Sequence, residues 1–350
     1  MKILFFICTL DEGGGQRVVS MLSSKMVERG FDVEVLKYYN SESIYPISDR
    51  VKINSVECNN GRSIISNIIW MRSYFKKNAD IVISFLAPFN IIALLANMFN
   101  KTPIIVADRN DPRFVPNNKI VRKLRDFLYR FANGVVVQTT DNKKYFSDTI
   151  QNKTIVIKNP FSMTDKIGKA LKVKKNNEIV SVGRLEKQKN QEMLIKAFYE
   201  LRKEYDYKLT IYGEGAYRKE LEELINQLNL NDYVFLPGTS KDVLEDIKHA
   251  CCFVLSSNYE GMPNALAEAM CLGLPVISTK VSGASDLIRN NENGLLIDVG
   301  DEDALINSLK KVLDNQDYRN LLAKNASKIS KKLDIDVITN QWLEFINKVK

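Results

Sequence analysis

The sequence has one histidine, His249, and none of its five cysteines falls in a C-x-x-C pair. Protein zinc sites are built mainly from clustered cysteines and histidines, so neither a structural zinc site nor a His-based metal centre is expected. The odd number of cysteines, at unrelated spacings, favours free thiols in a reducing compartment over a disulfide framework.

Long hydrophobic runs are also missing. The most apolar stretch, residues 91–99, is interrupted by Asn97 and is far shorter than the roughly 20 residues that span a bilayer. The apolar run at residues 3–8 leads into Asp11 without the small-residue cleavage site of a signal peptide. We interpret it as a buried first strand and expect no transmembrane segment.

Acidic residues are scarce in the first half of the chain. Residues 1–160 carry 23 lysines and arginines against 14 acids, whereas residues 161–350 carry 27 against 28. The excess positive charge therefore lies wholly in the first half. If it does more than keep the chain soluble, it predicts a polyanionic partner there, namely nucleic acid, anionic lipid or a phosphorylated substrate.

Short β-branched runs alternate with longer helical patterns, which is typical of parallel sheets covered by helices. The predicted strands are 3–8, 32–36, 81–85, 104–107, 135–138, 155–157, 179–182, 208–212, 234–236, 252–256 and 275–278. A lysine-rich stretch with few large apolar residues interrupts the alternation. We therefore predict an α/β protein with two doubly wound, Rossmann-like domains facing a cleft: 1–160, a linker at 161–177, and 178–333. A final amphipathic helix is predicted at 334–350.

The stretch from Glu260 to Met270 follows a predicted strand and turns into a helix. Pro263 suits the first helical turn, and Glu268 lies about one and a half turns inside the helix. The helix N-terminus between the two carboxylates offers N–H groups to a phosphate. Carboxylates on either side of a phosphate suit the hydroxyls of a ribose and a sugar, so the stretch predicts a nucleotide-sugar site.

A second loop, residues 183–190, also follows a predicted strand. Arg184 and Lys189 project from it and could bind a diphosphate, neutralising charge on a departing nucleotide without a metal ion. Taken alone, such loop cations are more often simply solvated.

In this order and spacing the two stretches resemble the retaining glycosyltransferases of family 4, which have the GT-B fold. Glu260 and Glu268 match the E-x7-E pattern, and residues 182–189 match V-G-R-L-x-x-x-K. The resemblance covers most of residues 178–320 and the first half weakly. It implies that Arg184 and Lys189 bind the donor diphosphate, that Glu260 contacts the donor sugar, and that Glu268 holds the ribose. It also implies that the final helix crosses back to the first domain.

The resemblance implies further donor contacts. They are Gly14, Gly15, Gly183, Gly261, Met262, Pro263, Asn264 and Ala265. The glycines at 13–15 follow the first strand and allow close backbone approach, although a turn without a ligand is the alternative. No cofactor and no metal is expected beside the donor, for which a UDP-sugar is the expectation. The motif Asp334-Ile335-Asp336 is interpreted as a helix cap, not a metal site.

The acceptor side is less well defined, because the histidine that many relatives carry is absent. Asp108, Arg109 and Asn110 follow a first-half strand and resemble family members that build bacterial capsule and lipid-linked oligosaccharides. These three residues and Arg17 are the predicted acceptor contacts. An ordinary turn before Pro112 is the alternative for the first three, and a solvated side chain for Arg17.

Two first-half segments, 62–77 and 119–131, combine apolar and basic residues at helical spacing. They would either pack on the sheet or lie on an anionic bilayer. With a lipid-linked acceptor the protein would be cytoplasmic and peripheral at the inner face of the cell membrane. The predicted function is transfer of a sugar to a polyprenyl-diphosphate-linked glycan. A nucleotide-sugar epimerase of the same fold and a basic nucleic-acid-binding module are the alternatives.

Overall fold

The computed structural model describes residues 1–11, 13–56, 63–161 and 173–350. It divides the chain into two compact units, Met1–Ser162 with Leu333–Lys350, and Met163–Lys332. The predicted linker lies partly outside the described residues. Phe161, at its start, bridges to Asp334 within the first unit.

The first unit is built on a seven-stranded parallel sheet in the order β3-β2-β1-β4-β5-β6-β7. The strands are β1 Lys2–Ile7, β2 Asp32–Lys37, β3 Lys52–Ser55, β4 Ile81–Phe85, β5 Ile104–Ala107, β6 Gly134–Val137 and β7 Thr154–Val156. A parallel sheet covered on both faces needs nearly continuous apolar strands, and β4 is accordingly buried at every position. The sequence prediction missed β3, a mostly exposed edge strand.

Helices cover both faces of this sheet. They are α1 Gly14–Glu28, α2 Ile64–Asn78, α3 Ala87–Asn97, α4 Lys119–Leu128, α5 Thr140–Tyr145 and α6 Asp148–Gln151. Alternate residues of β1 point to opposite faces, so Phe5 packs in one core cluster and Phe6 in the other. Helices α2, α3 and α4 lie side by side over the cluster that contains Phe6.

The second unit repeats the design with a six-stranded parallel sheet in the order β10-β9-β8-β11-β12-β13. The strands are β8 Glu178–Val182, β9 Lys208–Tyr212, β10 Val234–Gly238, β11 Cys252–Leu255, β12 Val276–Thr279 and β13 Leu295–Ile297. The helices are α7 Gln191–Arg202, α8 Arg218–Gln227, α9 Val243–Ile247, α10 Asn264–Cys271, α11 Ser282–Leu287, α12 Glu302–Asp314, α13 Gln316–Ser327 and α14 Ser330–Leu333. The short edge strand β13 was not predicted.

The last helix, α15 Ile335–Val349, belongs to the first unit. Trp342 is fully buried and stacks on Phe85 of β4, with ring centroids 5.8 Å apart. The side chain of Asp334 accepts a hydrogen bond from the backbone N–H of Asp336 at 2.9 Å, and Arg29 binds the Asp336 carboxylate at 2.8 Å. The Asp334–Asp336 motif is therefore the predicted helix cap.

The cysteines that the structure describes are free thiols: Cys8, Cys251, Cys252 and Cys271. Cys58 lies outside the described residues. Burial raises the pKa of both Cys251 and Cys271 to about 12, so these thiols are unreactive near neutral pH. Within the described parts of the chain, no helix has the length and apolar content to cross a membrane.

Candidate active site

The strand order of the second unit reverses between β8 and β11, which are neighbours in the sheet. In open parallel sheets, ligands bind beyond the carboxyl ends of the strands at such a reversal. The loop that follows β8 holds Gly183, Arg184 and Lys189, and the loop that follows β11 holds Glu260. The two stretches singled out from the sequence therefore meet at one edge of one sheet.

Hydrogen bonds tie these two loops together. The side chain of Gln188 donates to the carbonyl oxygen of Tyr259 at 2.9 Å, and the backbone N–H of Asn258 donates to the carbonyl oxygen of Gln188 at 2.8 Å. The hydroxyl of Ser256 donates to the carbonyl oxygen of Lys189 at 2.9 Å. Residues far apart in the sequence thus form one pre-organised surface.

The predicted cation and the predicted carboxylate form an ion pair. Nζ of Lys189 lies 2.5 Å from Oε1 of Glu260, and both side chains are largely buried. The hydroxyl of Ser257 donates to the same carboxylate oxygen at 2.9 Å. The pair holds each charge in place next to the helix that carries Glu268.

Arg184 differs from Lys189 because its side chain is 68% exposed. It pairs with Glu186 at 2.9 Å, whereas the neighbouring Leu185 is fully buried and fixes the loop. The side chain of Gln191 donates to the carbonyl oxygen of Arg184 at 2.9 Å. The loop backbone is therefore anchored while the guanidinium stays accessible to an anionic ligand.

Helix α10 begins at Asn264, with Pro263 as the residue before it, one position later than predicted. The residue before the helix, Pro263, makes no side-chain capping hydrogen bond, and the N-terminal amides of a helix suit an anion. Gly261, Met262 and Pro263 precede it, and Ala265 and the buried Glu268 lie on the helix. The predicted donor contacts of this unit are thus brought to one place.

Two glycine contacts were not anticipated from the sequence. A Cβ on Gly283, at the start of α11, would overlap the carbonyl oxygen of Gly261 and lie 2.6 Å from Cδ of Pro263. A Cβ on Gly215 would overlap the carbonyl oxygen of Leu185 and lie 2.8 Å from its nitrogen. Both glycines therefore let a neighbouring segment support a candidate donor loop. For Gly215, the Gly-x-Gly pattern directly after β9 was the available sequence signal.

In the first unit, α1 begins at Gly14 directly after the β1 loop. A Cβ on Gly15 would lie 3.2 Å from the side chain of Leu86, which follows β4, so Gly15 permits close packing there. Arg17 is half-buried in the first turn of α1. The donor role of the glycines and the acceptor role of Arg17 stay predictions.

Asp108 is fully buried after β5. The hydroxyl of Tyr129 donates to its Oδ2 at 3.2 Å, and Arg125 lies 3.7 Å from the same oxygen. Burial outweighs the attraction of Arg125 and raises the pKa of Asp108 to about 6. This carboxylate faces the interior, and its predicted acceptor role stays a prediction.

Arg109 is also buried, and its guanidinium lies 5.3 Å from the ring centroid of Phe85 and donates to Asn159. Burial lowers the pKa of Arg109 to about 9. Its Nε and Nη1 have no hydrogen-bond partner among the described residues, so two donors are unused. Asn110 is half-exposed, and its carbonyl oxygen accepts from Asn142 at 3.2 Å. The acceptor roles of these residues stay predictions.

Comparison with known proteins relates the chain to enzymes that transfer sugars. The family model described as "Glycosyl transferases group 1" matches residues 162–329. A protein of Campylobacter jejuni named "GalNAc-alpha-(1->4)-GalNAc-alpha-(1->3)-diNAcBac-PP-undecaprenol alpha-1,4-N-acetyl-D-galactosaminyltransferase" is 32% identical over 100% of this chain and 99% of its own. A second from that bacterium, "N-acetylgalactosamine-N,N'-diacetylbacillosaminyl-diphospho-undecaprenol 4-alpha-N-acetylgalactosaminyltransferase", is 30% identical over 99% of both chains.

Among solved structures, a protein of Anabaena, "Alr3699/HepE in complex with UDP", superimposes with a TM-score of 0.83. The alignment covers 99% of this chain and 100% of that one, at 20% identity. At that identity the likeness shows the fold alone. It confirms the GT-B fold expected from the sequence motifs.

Proposed function

Since this chain belongs to the group 1 glycosyl transferases and is a glycosyltransferase, we propose that it moves a sugar from a nucleotide sugar to a glycan carried on a polyprenyl diphosphate. The transfer retains the anomeric configuration and needs no metal ion, and the donor is a UDP-sugar. The observation that carries the proposal is the meeting of Arg184, Lys189 and Glu260 at the β8–β11 edge.

The donor diphosphate binds between two fixed cations and the N-terminus of α10. Lys189 is already held by Glu260, and exposed Arg184 is within the same loop, so both can face the leaving diphosphate. Positive groups placed where negative charge develops stabilise the transition state without having to reorganise. They take the part that a metal ion plays in other transferases.

The reaction breaks the bond between the anomeric carbon and the diphosphate oxygen. A hydroxyl oxygen of the acceptor forms the new bond on the same face of the sugar, and its proton passes to a donor phosphate oxygen. Glu260 contacts the sugar hydroxyls, and Glu268 the ribose. This assignment is supported by the burial of both carboxylates beside the candidate phosphate site.

The acceptor binds the first unit. The two Campylobacter relatives are named for substrates on diphospho-undecaprenol, which supports a lipid-linked acceptor here. The guanidinium of Arg109 has two nitrogens without a hydrogen-bond partner, and both are buried, so its neighbours must move before a phosphate or hydroxyl group of the acceptor can reach it. Such an acceptor stays in the membrane, so the enzyme works at the cytoplasmic face of the cell membrane and binds it peripherally.

A panel of nucleotide sugars tested by thermal unfolding identifies the donor, because at a fixed concentration a ligand that binds only the folded state stabilises it more the tighter it binds. The stabilising sugar is then incubated with an undecaprenyl-diphosphate-linked glycan, with and without EDTA. We expect an α-linked product from an α-linked donor in both conditions. An inverted product, or activity only without EDTA, would contradict the mechanism. An altered nucleotide sugar formed without acceptor would indicate an epimerase instead.

A further inference from the structure

Helix α4 exposes the apolar side that an ordinary surface helix buries. Its apolar stripe faces solvent and continues into the 3-10 turn that follows: Ile120 is 77% exposed, Leu124 43%, Phe127 52% and Phe131 59%. Their spacing of three and four residues places them along one side of a helix. An ordinary surface helix would direct this stripe toward the sheet. The packing alternative for residues 119–131 is therefore wrong for these four side chains.

The inward face of α4 is occupied by a charged residue. Arg125 is fully buried and donates to the carbonyl oxygens of Val115 at 2.6 Å and Pro112 at 3.0 Å. Its guanidinium also binds Asp126 at 2.8 Å. Because these bonds fix the rotation of the helix, the apolar stripe cannot turn inward without exposing carbonyl groups and a buried charge. The hydrogen bonds of Arg125 therefore keep the apolar stripe exposed to solvent.

The outward face is positively charged. Lys119, Lys123 and Arg130 are exposed on it. The acid of this helix, Asp126, uses Oδ1 to accept from Arg125 and Oδ2 to accept from the hydroxyl of Tyr145 at 3.1 Å. The lysines and the arginine are thus left without a neutralising carboxylate on their own helix.

A shallow groove of about 230 Å³ runs beside the stripe. Lys123, Phe127 and Arg130 line it together with the end of α5, the turn that follows it, and Ile150 of α6. The groove thus places two cations next to apolar surface, which is the chemistry that recognises a phosphate attached to a hydrocarbon chain. The lining acid, Asp126, is engaged as described.

We propose that the α4 face, defined by Ile120, Lys123, Leu124, Phe127, Arg130 and Phe131, docks on the surface of an anionic phospholipid bilayer. The apolar side chains enter the boundary between headgroups and acyl chains, and the cations bind lipid phosphates. A basic helix with an exposed apolar stripe binds membranes in this way, by apolar burial together with charge attraction. The inference deepens the membrane attachment proposed above by naming its surface, and it uses no donor-site residue.

Charge complementarity favours a bilayer over the other possible occupants. A two-fold contact with a second copy would place this basic face against an identical basic face, and like charges in an interface are unfavourable. Nucleic acid would satisfy the cations but would leave Ile120 and Leu124 without an apolar partner. An anionic bilayer supplies both kinds of contact.

The test uses the full chain and co-sedimentation with vesicles of phosphatidylcholine alone or mixed with phosphatidylglycerol. We expect binding to the mixed vesicles that weakens with salt, and at least a tenfold loss of affinity in I120S/L124S. K123E/R130E should lose about fivefold or more in affinity for the mixed vesicles for each altered charge. Matched controls in the second unit are V299S/L321S, at exposed apolar residues, and K331E/K332E, at exposed lysines. These controls should bind as the unchanged protein does.

A second measurement reports on the stripe directly. The variant F127W should show more quenching by lipids brominated on their acyl chains than the unchanged protein, in which Trp70 and Trp342 set the background, whereas L321W should show no increase. Donor-induced thermal stabilisation is measured on every variant, so a failed donor site is distinguished from a failed lipid surface. Equal vesicle binding by I120S/L124S and the unchanged protein would overturn the proposal. So would no added quenching in F127W, a loss of self-association in place of lipid binding, or salt-dependent nucleic-acid binding that only K123E/R130E removes.

Discussion

Gly283 lies so close to Gly261 that a Cβ on Gly283 would overlap the Gly261 carbonyl oxygen and come within 2.7 Å of Cα of Met262. The start of α11 therefore supports the loop before α10, although 22 positions separate the two glycines in the sequence. Because position 283 is a glycine, the backbone of α11 can approach the backbone of residues 261–263. Helix α11 therefore packs directly against the candidate donor loop.

The first prediction is that Gly283→Ala weakens donor binding. The added methyl must push the 261–263 backbone away, at a cost to folding of about 1–3 kcal/mol for an overpacked contact. We expect the affinity for UDP, measured by titration calorimetry, to fall at least about tenfold.

The matched control is Gly300→Ala in the same unit. Gly300 has a φ of +82° and open space around it, so alanine there introduces backbone strain without a clash at the donor loop. It should lower the melting temperature and leave UDP affinity unchanged. If both variants lose UDP affinity equally, the loss reflects general destabilisation and the positioning role of Gly283 is refuted.

The second prediction separates the roles of Lys189 and Glu260. In the donor-free protein the ammonium group is engaged by the carboxylate 2.5 Å away, so an incoming diphosphate must share it. Glu260→Gln removes that competitor and should tighten UDP binding by a few-fold, yet it should lower kcat by about 10²-fold or more, as loss of a transition-state contact does. Lys189→Met should weaken UDP binding.

The prediction holds if Glu260→Gln tightens UDP binding and Lys189→Met weakens it. Ser257→Ala serves as the control, because it removes the 2.9 Å hydrogen bond to Glu260 without altering any charge. It should change kcat much less than Glu260→Gln. If Glu260→Gln and Lys189→Met weaken UDP binding alike, the carboxylate supports the site only structurally.

The third prediction concerns Arg184, which is mostly exposed and makes one surface ion pair with Glu186. Exposed pairs contribute at most about 1 kcal/mol, so Arg184→Met should leave the melting temperature nearly unchanged. It should lower kcat/KM at least about tenfold and reduce the salt dependence of donor binding. Arg289→Met, at another largely exposed arginine of this unit, should do neither. Full activity of Arg184→Met would remove this residue from the mechanism.

Much of this site could be predicted because its chemistry lies in contiguous loops directly after buried strands. Arg184 and Lys189 are five residues apart, and Glu260 and Glu268 eight, so local patterns place each pair on one loop or helix. The ion pair between Lys189 and Glu260 joins residues 71 positions apart. Only the strand order β8-β11, which no local pattern specifies, brings them together.

The orientation of α4 could not be predicted for a similar reason. Helical periodicity predicts that the apolar stripe packs inward, and an arginine ordinarily belongs on the solvent side. Here Arg125 turns inward because the carbonyl oxygens of the 112–115 segment and the carboxylate of Asp108 provide its partners. Those partners are assembled by the tertiary fold, so the sequence pattern is ambiguous until they are known.

The last prediction follows from the burial of Asp108. Its pKa is raised from the ordinary 3.8 to about 6, so the folded protein binds this proton more tightly than the unfolded chain does. The resulting stabilisation is complete below about pH 3.8 and is lost as the pH rises through about 6. A shift of this size corresponds to about 3 kcal/mol in the free energy of unfolding.

Asp108→Asn removes the titration and can still accept the hydrogen bond from Tyr129. Denaturant unfolding between pH 4 and pH 7 should therefore show a decline for the unchanged protein that Asp108→Asn lacks. Asp148→Asn, at an exposed carboxyl of the same unit, should keep the decline. If the unchanged protein instead gains stability relative to Asp108→Asn as the pH rises, the attraction of Arg125 outweighs burial. Asp108 would then be held as a carboxylate, and its place beside Arg125 would be that of a buried ion pair.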